Sequence, residues 1–277
     1  MIDRPSPIPI ALTIAGSDCS GGAGIQADLK TFSAFGIYGA SVLTALTAQN
    51  TRGVDGVLEI ASSFVLAQFR SVLSDLDVRA AKTGMLANEE IVNTVADALE
   101  AHPNLPLVVD PVMVAASGDD LLRPGAVDAV KRRLIPRADL LTPNLAEAAR
   151  LLGAREARGE GEMVAQAEAL SALGCRAVLV KGGHAGGEQA VDVFVHAGKV
   201  TRFETPRLDT PHTHGAGCTL SAAITALLAS GAPLVTAVER AKRYIWRALQ
   251  GGLSLGVGRG RGPLDHLFAI RAIEPAA

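Results

Sequence analysis

Four short segments hold the residue types that could do chemistry in this chain. The first, Ala15-Gly16-Ser17-Asp18-Cys19-Ser20-Gly21-Gly22-Ala23-Gly24, has glycine at three of its last four positions. Glycine tolerates positive φ and lets a ligand approach the backbone. The segment can therefore cradle an anion at a helix start, or serve only as a tight strand-to-helix turn. It matches neither the dinucleotide fingerprint nor the ordinary P-loop. Asp28, one turn into the helix that follows, is a dipole partner or a ligand group. The second segment, Thr210-Pro211-His212-Thr213-His214-Gly215-Ala216-Gly217-Cys218-Thr219, precedes a well-patterned helix. Small residues there leave backbone N–H groups pointing outward, which makes an anion hole. Cys218 falls at the helix start, where the dipole and a bound cation would lower the thiol pKa. The thiolate could then accept a proton or attack an electrophile; the alternative is a small buried apolar side chain.

The third segment, Leu140 to Glu147, runs from a strand end into a helix. Asn144 and Glu147 share a face at i, i+3 and could orient water or Mg²⁺ near phosphates, or merely cap the helix. In the fourth, Lys181-Gly182-Gly183-His184, the lysine stands at a strand's carboxyl end, where α/β folds bind ligands, and suits a phosphate contact. Two other patterns are set aside. Gly252-Leu253-Ser254-Leu255-Gly256 spells G-x-S-x-G, but a helix precedes it and a glycine-rich stretch follows, the wrong setting for a nucleophile elbow. His212 and His214 lack a third ligand at metal-binding spacing.

Positioning these segments requires strands that end at one edge. Apolar runs bounded by Gly, Pro and Asp alternate with stretches of helical period, which predicts βα units around a mostly parallel sheet. The predicted strands are Ile10–Ile14, Ser41–Thr47, Val78–Lys82, Leu107–Val109, Leu140–Thr142 and Ala177–Val180. Helices are predicted over Ile25–Phe35, Glu89–Glu100, Ala126–Leu134, Glu160–Leu173, Thr219–Ser230 and Pro233–Gln250. The runs Val191–Val195 and Gly198–Phe203 flank a short turn and predict an antiparallel hairpin.

The chain has 277 residues, with 26 Lys plus Arg against 28 Asp plus Glu, a net charge of −2. Such a balance, without a basic cluster, argues against nucleic-acid binding. A hydrophobic content of 48% supports a large core, and no apolar run approaches the roughly 18 residues of a membrane span. The N-terminus lacks a secretory pattern, and three scattered cysteines suggest neither a disulfide framework nor zinc. A single domain over residues 1–277 in a reducing cytoplasm is expected.

Together these strings resemble the bacterial hydroxymethylpyrimidine/phosphomethylpyrimidine kinases of thiamine synthesis, within the ribokinase-like superfamily. The matching pieces are Ile14–Asp18 with Ser20–Asp28, Thr44–Gly53, Lys82–Met85, Asp110–Met113, Leu141–Glu147, Val180–His184 and Thr213–Ala222, in family order. The resemblance implies a three-layer α/β/α sandwich with a mostly parallel central sheet and a small antiparallel hairpin. It implies a homodimer and ATP-dependent phosphorylation of the pyrimidine's hydroxymethyl group, then of the monophosphate. Carried over by position, Gly16, Asp28 and Gln49 would contact the aminopyrimidine, with Met85 and Val112 lining its pocket. Lys181 and the amides of Gly215, Ala216, Gly217 and Cys218 would hold the transferring phosphoryl group. Thr213 and Asn144 would stand near the ATP phosphates, Glu147 and Asn144 would organise Mg²⁺, and Cys218 would act as base. Pyridoxal kinase, with the same cysteine near an aldehyde, is the rival. Two departures from the family pattern are Ala116, where Lys or Thr is common, and the arginines of Gly256–Gly262, where histidine is often seen.

Overall fold

The computed structural model describes residues 8–114, 122–123, 125–183 and 186–270. Among them, nine strands form one sheet: β1 (Ile10–Asp18), β2 (Tyr38–Asn50), β3 (Gly53–Glu59), β4 (Val78–Thr83), β5 (Leu107–Val109), β6 (Leu140–Leu141), β7 (Ala177–Lys181), β8 (Gln189–His196) and β9 (Lys199–Pro206). Their order is β3-β2-β1-β4-β5-β6-β7-β8-β9. The six from β2 to β7 are parallel, and antiparallel strands finish both edges, β3 on one side and the β8–β9 hairpin on the other.

The helices are α1 (Gly24–Ala34), α2 (Ser62–Leu73), α3 (Glu89–Glu100), α4 (Ala126–Ala129), α5 (Leu145–Leu152), α6 (Glu160–Ser171), α7 (Ala216–Ala229) and α8 (Leu234–Gly252). Strand residues alternate between two packed faces. Leu12, Ile14, Leu107 and Val109 meet α2 to α6, whereas Ala11, Ala80, Val108 and Leu179 meet α1, α7 and α8. The result is the three-layer sandwich expected of the ribokinase-like class. On the second face, small residues such as Ala11, Ala80, Ala222 and Ala226 let α1 and α7 close tightly on the sheet.

Two elements escape the sequence reading. β3 is a glycine- and acid-bearing edge strand without clean alternation, and α2 starts at Ala61 without a side-chain cap and buries only Val65 and Phe69. The helix expected over Ala126–Leu134 is not continuous. Its α-turns stop at Ala129, a π-helical stretch covers Val130–Leu134, and a 3₁₀ turn carries Pro136, whose missing N–H ends the ladder. The strand order reverses at β1, between β2 and β4. Ligands of open α/β sheets bind at the carboxyl ends of the strands beside such a point.

Candidate active site

The first glycine-rich segment is shaped by Asp18, the last residue of β1. Its Oδ1 accepts the Ser20 N–H at 2.9 Å and the Ser20 hydroxyl at 2.7 Å. Its Oδ2 accepts the N–H groups of Gly22 and Ala23 and lies 2.8 Å from Nε2 of His214. Burial would raise this carboxyl, but His214 and Ser20 outweigh it and hold Asp18 well below the usual range. Through His214, the same carboxylate fixes the second segment. The two loops interlock because glycine lets their backbones touch. A Cβ on Gly215, at φ +82°, would come within 1.9 Å of the Gly22 carbonyl oxygen. A register shift in β1 between Ala15 and Ser17 brackets Gly16 at the cleft wall.

Gly215 is the N-cap of α7, so the first helical residues are Ala216, Gly217 and Cys218. The Ala216 N–H is bonded to the Thr213 carbonyl at 3.1 Å. Helix geometry leaves the N–H groups of Gly217 and Cys218 without helical acceptors, and both residues line the cleft. Because Gly217 has no side chain, Lys181 approaches: a Cβ there would lie 3.2 Å from Nζ.

Lys181, at the end of β7, meets the Asp110 carboxylate at 2.9 Å and Glu147 at 3.8 Å. Asp110, just past β5, also accepts from Thr142 and from Ser221 of α7. Burial works against each of these charges. Lys181, with Lys82 beyond it, keeps Asp110 below its usual range, while Asp110 and Glu147 keep Lys181 above its own. Burial dominates at Glu147 and pushes its carboxyl up to about 7. Glu147 and Asn144 form a full capping box: the Glu147 N–H donates to Asn144 Oδ1 at 2.8 Å, and the Asn144 N–H donates to Glu147 Oε2 at 2.7 Å. The Asn144 side chain thus serves the cap of α5 first, although both residues line the cleft.

Two expectations are corrected. Cys218 is not acidified by the helix start, because burial outweighs the pull of Lys82 and pushes the thiol up to about 12. Asp28 does not face the cleft. It is wholly buried, bonded to Lys82 Nζ at 2.8 Å and to the Thr13 hydroxyl at 2.6 Å, so it lies behind the wall it was expected to form.

Gly16, Gln49, Met85, Val112, Asn144, Glu147, Lys181, Thr213, Gly215, Ala216, Gly217 and Cys218 all line one cleft of about 970 Å³. It runs along the carboxyl edge from Gln49 on β2 to Thr205 and Pro206 on β9. At the β9 side, Ile245, Trp246 and Leu249 of α8 add an apolar wall. Ala116 and His184 lie outside the described residues. The glycine-rich segment after α8 packs on the β2–β3 turn: the N–H groups of Arg259 and Gly260 donate to the Thr51 hydroxyl, and that of Arg261 to the Thr51 carbonyl. Sequence reasoning gave no role to Asp18, His214, Lys82 or Asp110. Asp110 directly follows a predicted strand, which is a usable signal, whereas Asp18 lies four residues beyond the predicted strand Ile10–Ile14 and ends the longer observed β1. Their partners lie 196 and 71 residues away, a pairing that no spacing rule reaches.

The sequence profile of the family described as phosphomethylpyrimidine kinase matches residues 18–265. A hydroxymethylpyrimidine/phosphomethylpyrimidine kinase of Rhizobium meliloti is 54% identical over 93% of this chain and 96% of that protein. A phosphomethylpyrimidine kinase crystal structure from Clostridium difficile superposes with a TM-score of 0.77 at 43% identity, covering 87% of this chain and 99% of that one. An ADP complex of Bacillus subtilis pyridoxal kinase superposes with a TM-score of 0.87 at 37% identity, covering 95% and 99%. With the family profile spanning nearly the whole site-bearing chain, and with identity higher to the pyrimidine kinases than to the pyridoxal kinase, the chain belongs to the phosphomethylpyrimidine kinase family.

Proposed function

We propose that this protein transfers the γ-phosphoryl group of ATP to the hydroxymethyl oxygen of 4-amino-5-hydroxymethyl-2-methylpyrimidine, then adds a second phosphoryl group to the monophosphate. The observation that carries this reading is the meeting, in one cleft, of the Lys181 ammonium, the outward N–H groups of Gly217 and Cys218, and the Cys218 thiol. Gly16, Gln49, Met85 and Val112 form the acceptor end. There the Gln49 amide offers both a donor and an acceptor to an aminopyrimidine edge, and Met85 offers an apolar face. Asp28 supports this end from behind. Thr213, Asn144 and the Gly215–Gly217 turn surround the phosphates, and the apolar wall of α8 suits the nucleotide base.

In the transfer, the hydroxymethyl oxygen bonds to the γ-phosphorus as the bond to the bridging oxygen breaks, and ADP leaves with that electron pair. The hydroxyl proton passes to Sγ of Cys218 in its thiolate form. Lys181 and the helix amides hold the equatorial oxygens, and this positioning and charge neutralisation supply most of the acceleration. Among the described residues no group of three or more His, Cys, Asp and Glu forms a protein-only metal cage. A carboxylate at the phosphate end, Glu147 backed by Asn144, instead suits Mg²⁺ that keeps its waters and takes phosphate oxygens. When bound, Mg²⁺ would neutralise charge on the β- and γ-phosphates.

Pyridoxal as acceptor is the second reading, favoured by the 0.87 TM-score to the Bacillus subtilis enzyme. A homodimer is supported by the apolar side chains left exposed on β2 and β3, with Leu58 at 63% and Tyr38 at 58%. ATP consumption measured separately with hydroxymethylpyrimidine, its monophosphate and pyridoxal tests the assignment. Turnover with both pyrimidines is expected; turnover with pyridoxal alone overturns it.

A further inference from the structure

A buried ion pair that lines no part of the cleft stands on the sheet face covered by α1 and α7. Lys82 of β4 and Thr13 of β1 are cross-strand neighbours on the face covered by α1 and α7. The Lys82 ammonium meets Asp28 at 2.8 Å, Asp28 also accepts the Thr13 hydroxyl at 2.6 Å, and neither charged side chain is exposed at all. Taking two opposite ions out of water is costly, and apolar residues of the same volume are often as stable, so stability alone does not account for the pair.

Its position gives it a use. The α1 helix, which starts at Gly24 and carries Asp28 one turn further along, packs on α7, whose first turn holds Cys218. The α7 helix that carries Cys218 packs on β4, which carries Lys82. Four charges face the thiol: Lys82 from β4, Asp28 from α1, Asp110 from the end of β5 and Lys181 from β7. Lys181 is also turned to the cleft, where an incoming phosphate competes for it. Lys82 is sealed off from both phosphate and water, so its charge is constant through a turnover.

We propose that Lys82 is a positioning residue acting through Cys218: its ammonium, anchored by Asp28 and Thr13, is the fixed counter-charge of the Cys218 thiolate. The inference rests on the reading of Cys218 as proton acceptor. If it holds, the two partners of the ion pair affect the thiol in opposite senses, whereas a purely structural pair affects it in the same sense whichever member is lost.

The test is the rate at which iodoacetamide alkylates Cys218 at pH 8.5, followed by mass spectrometry of the peptide that carries it. Lys82→Met is expected to slow alkylation by roughly fivefold or more, and Asp28→Asn to speed it by a similar factor. In Lys82→Met, kcat is expected to fall while KM for the pyrimidine stays within about twofold. Movement of both rates in one direction, or no movement, overturns the proposal. If either single variant fails to fold, the volume-matched double variant Lys82→Met/Asp28→Leu decides. Slower alkylation than wild type is expected, because an apolar pair leaves the thiolate without its counter-charge, and an unchanged rate overturns the proposal. A Cys218→Ala enzyme with full turnover would instead end the proton-acceptor reading, leaving the order of alkylation rates to stand or fall separately.

Discussion

Cys218 is the residue at which local and tertiary effects oppose each other most directly. The first turn of α7 favours a thiolate, yet burial beside Asp28 and Asp110 leaves a thiol pushed up to about 12. The active form is therefore a minor species that grows about tenfold per pH unit below that value. Accordingly, kcat/KM for the pyrimidine is expected to rise steadily from pH 7.5 to about 9.5, and initial rates across that range check it. Cys218→Ala should flatten the profile and lower turnover roughly 100-fold at pH 8, with unchanged thermal unfolding. At Glu147 the raised carboxyl sets the opposite sign for stability. Its contribution is present below the unfolded value and is lost as pH rises toward about 7, because over that range the unfolded chain ionises while the folded one holds its proton. Glutamine preserves the capping box, so Glu147→Gln at pH 8 is expected to melt no lower than wild type. A gain of order 1 kcal/mol, read by calorimetry, is the expected size.

At the scale of elements, the anion hole exists because two loops and one helix start fit together without side chains. Gly215 needs its left-handed conformation to end the loop and start α7, and the Gly22 carbonyl fills the space where a Cβ would sit. Gly215→Ala is expected to destabilise the fold by roughly 2 kcal/mol or more from strain and backbone clash together. Thermal denaturation should show it, and turnover should fall because the Gly217 and Cys218 amides move with the loop. The fit of the elements also explains which of them the sequence revealed. β4, β5 and β7 are short apolar runs with clear punctuation, and the hairpin carries its own turn, with Ala197 and Gly198 both at positive φ. β3 and α2 are pinned mainly by tertiary contact: Ile60, at the junction, donates its N–H to the Thr44 carbonyl, and Gln68 of α2 bonds the backbone of Leu43. Neither contact leaves a periodic trace in the chain.

Across the whole molecule, the sheet gathers the carboxyl ends of β1, β4, β5, β6 and β7 into one edge, and the cleft follows that edge. No described helix is long and apolar enough to cross a membrane. Exposed apolar side chains on the β2–β3 edge include Leu46 and its cross-strand partner Leu58, with Val57 beside them and Tyr38 at the start of β2. If a second copy rests there, Leu58→Lys should shift sedimentation from dimer to monomer while the pyrimidine kinase activity of each chain is largely kept. A sedimentation profile identical to wild type would exclude that surface.

The sequence by itself determined the α/β class, the order of most elements, the two glycine-rich helix starts, the strand-end position of Lys181 and the helix-start position of Cys218. All of these depend on local periodicity or on strings whose spacing is short. The tertiary structure decided the electrostatics. Asp28 had the residue type of a ligand group, and only the packing of α1 on β1 and β4 turned it inward to Lys82, 54 residues away. Asn144 and Glu147 had the spacing of a metal pair and of a capping box alike, and the strand-to-helix geometry made the cap. Cys218 had the helix position of a reactive thiol, and burial reversed the sign. Charge burial and pairing depend on which distant segments meet, and no local pattern in a chain carries that information.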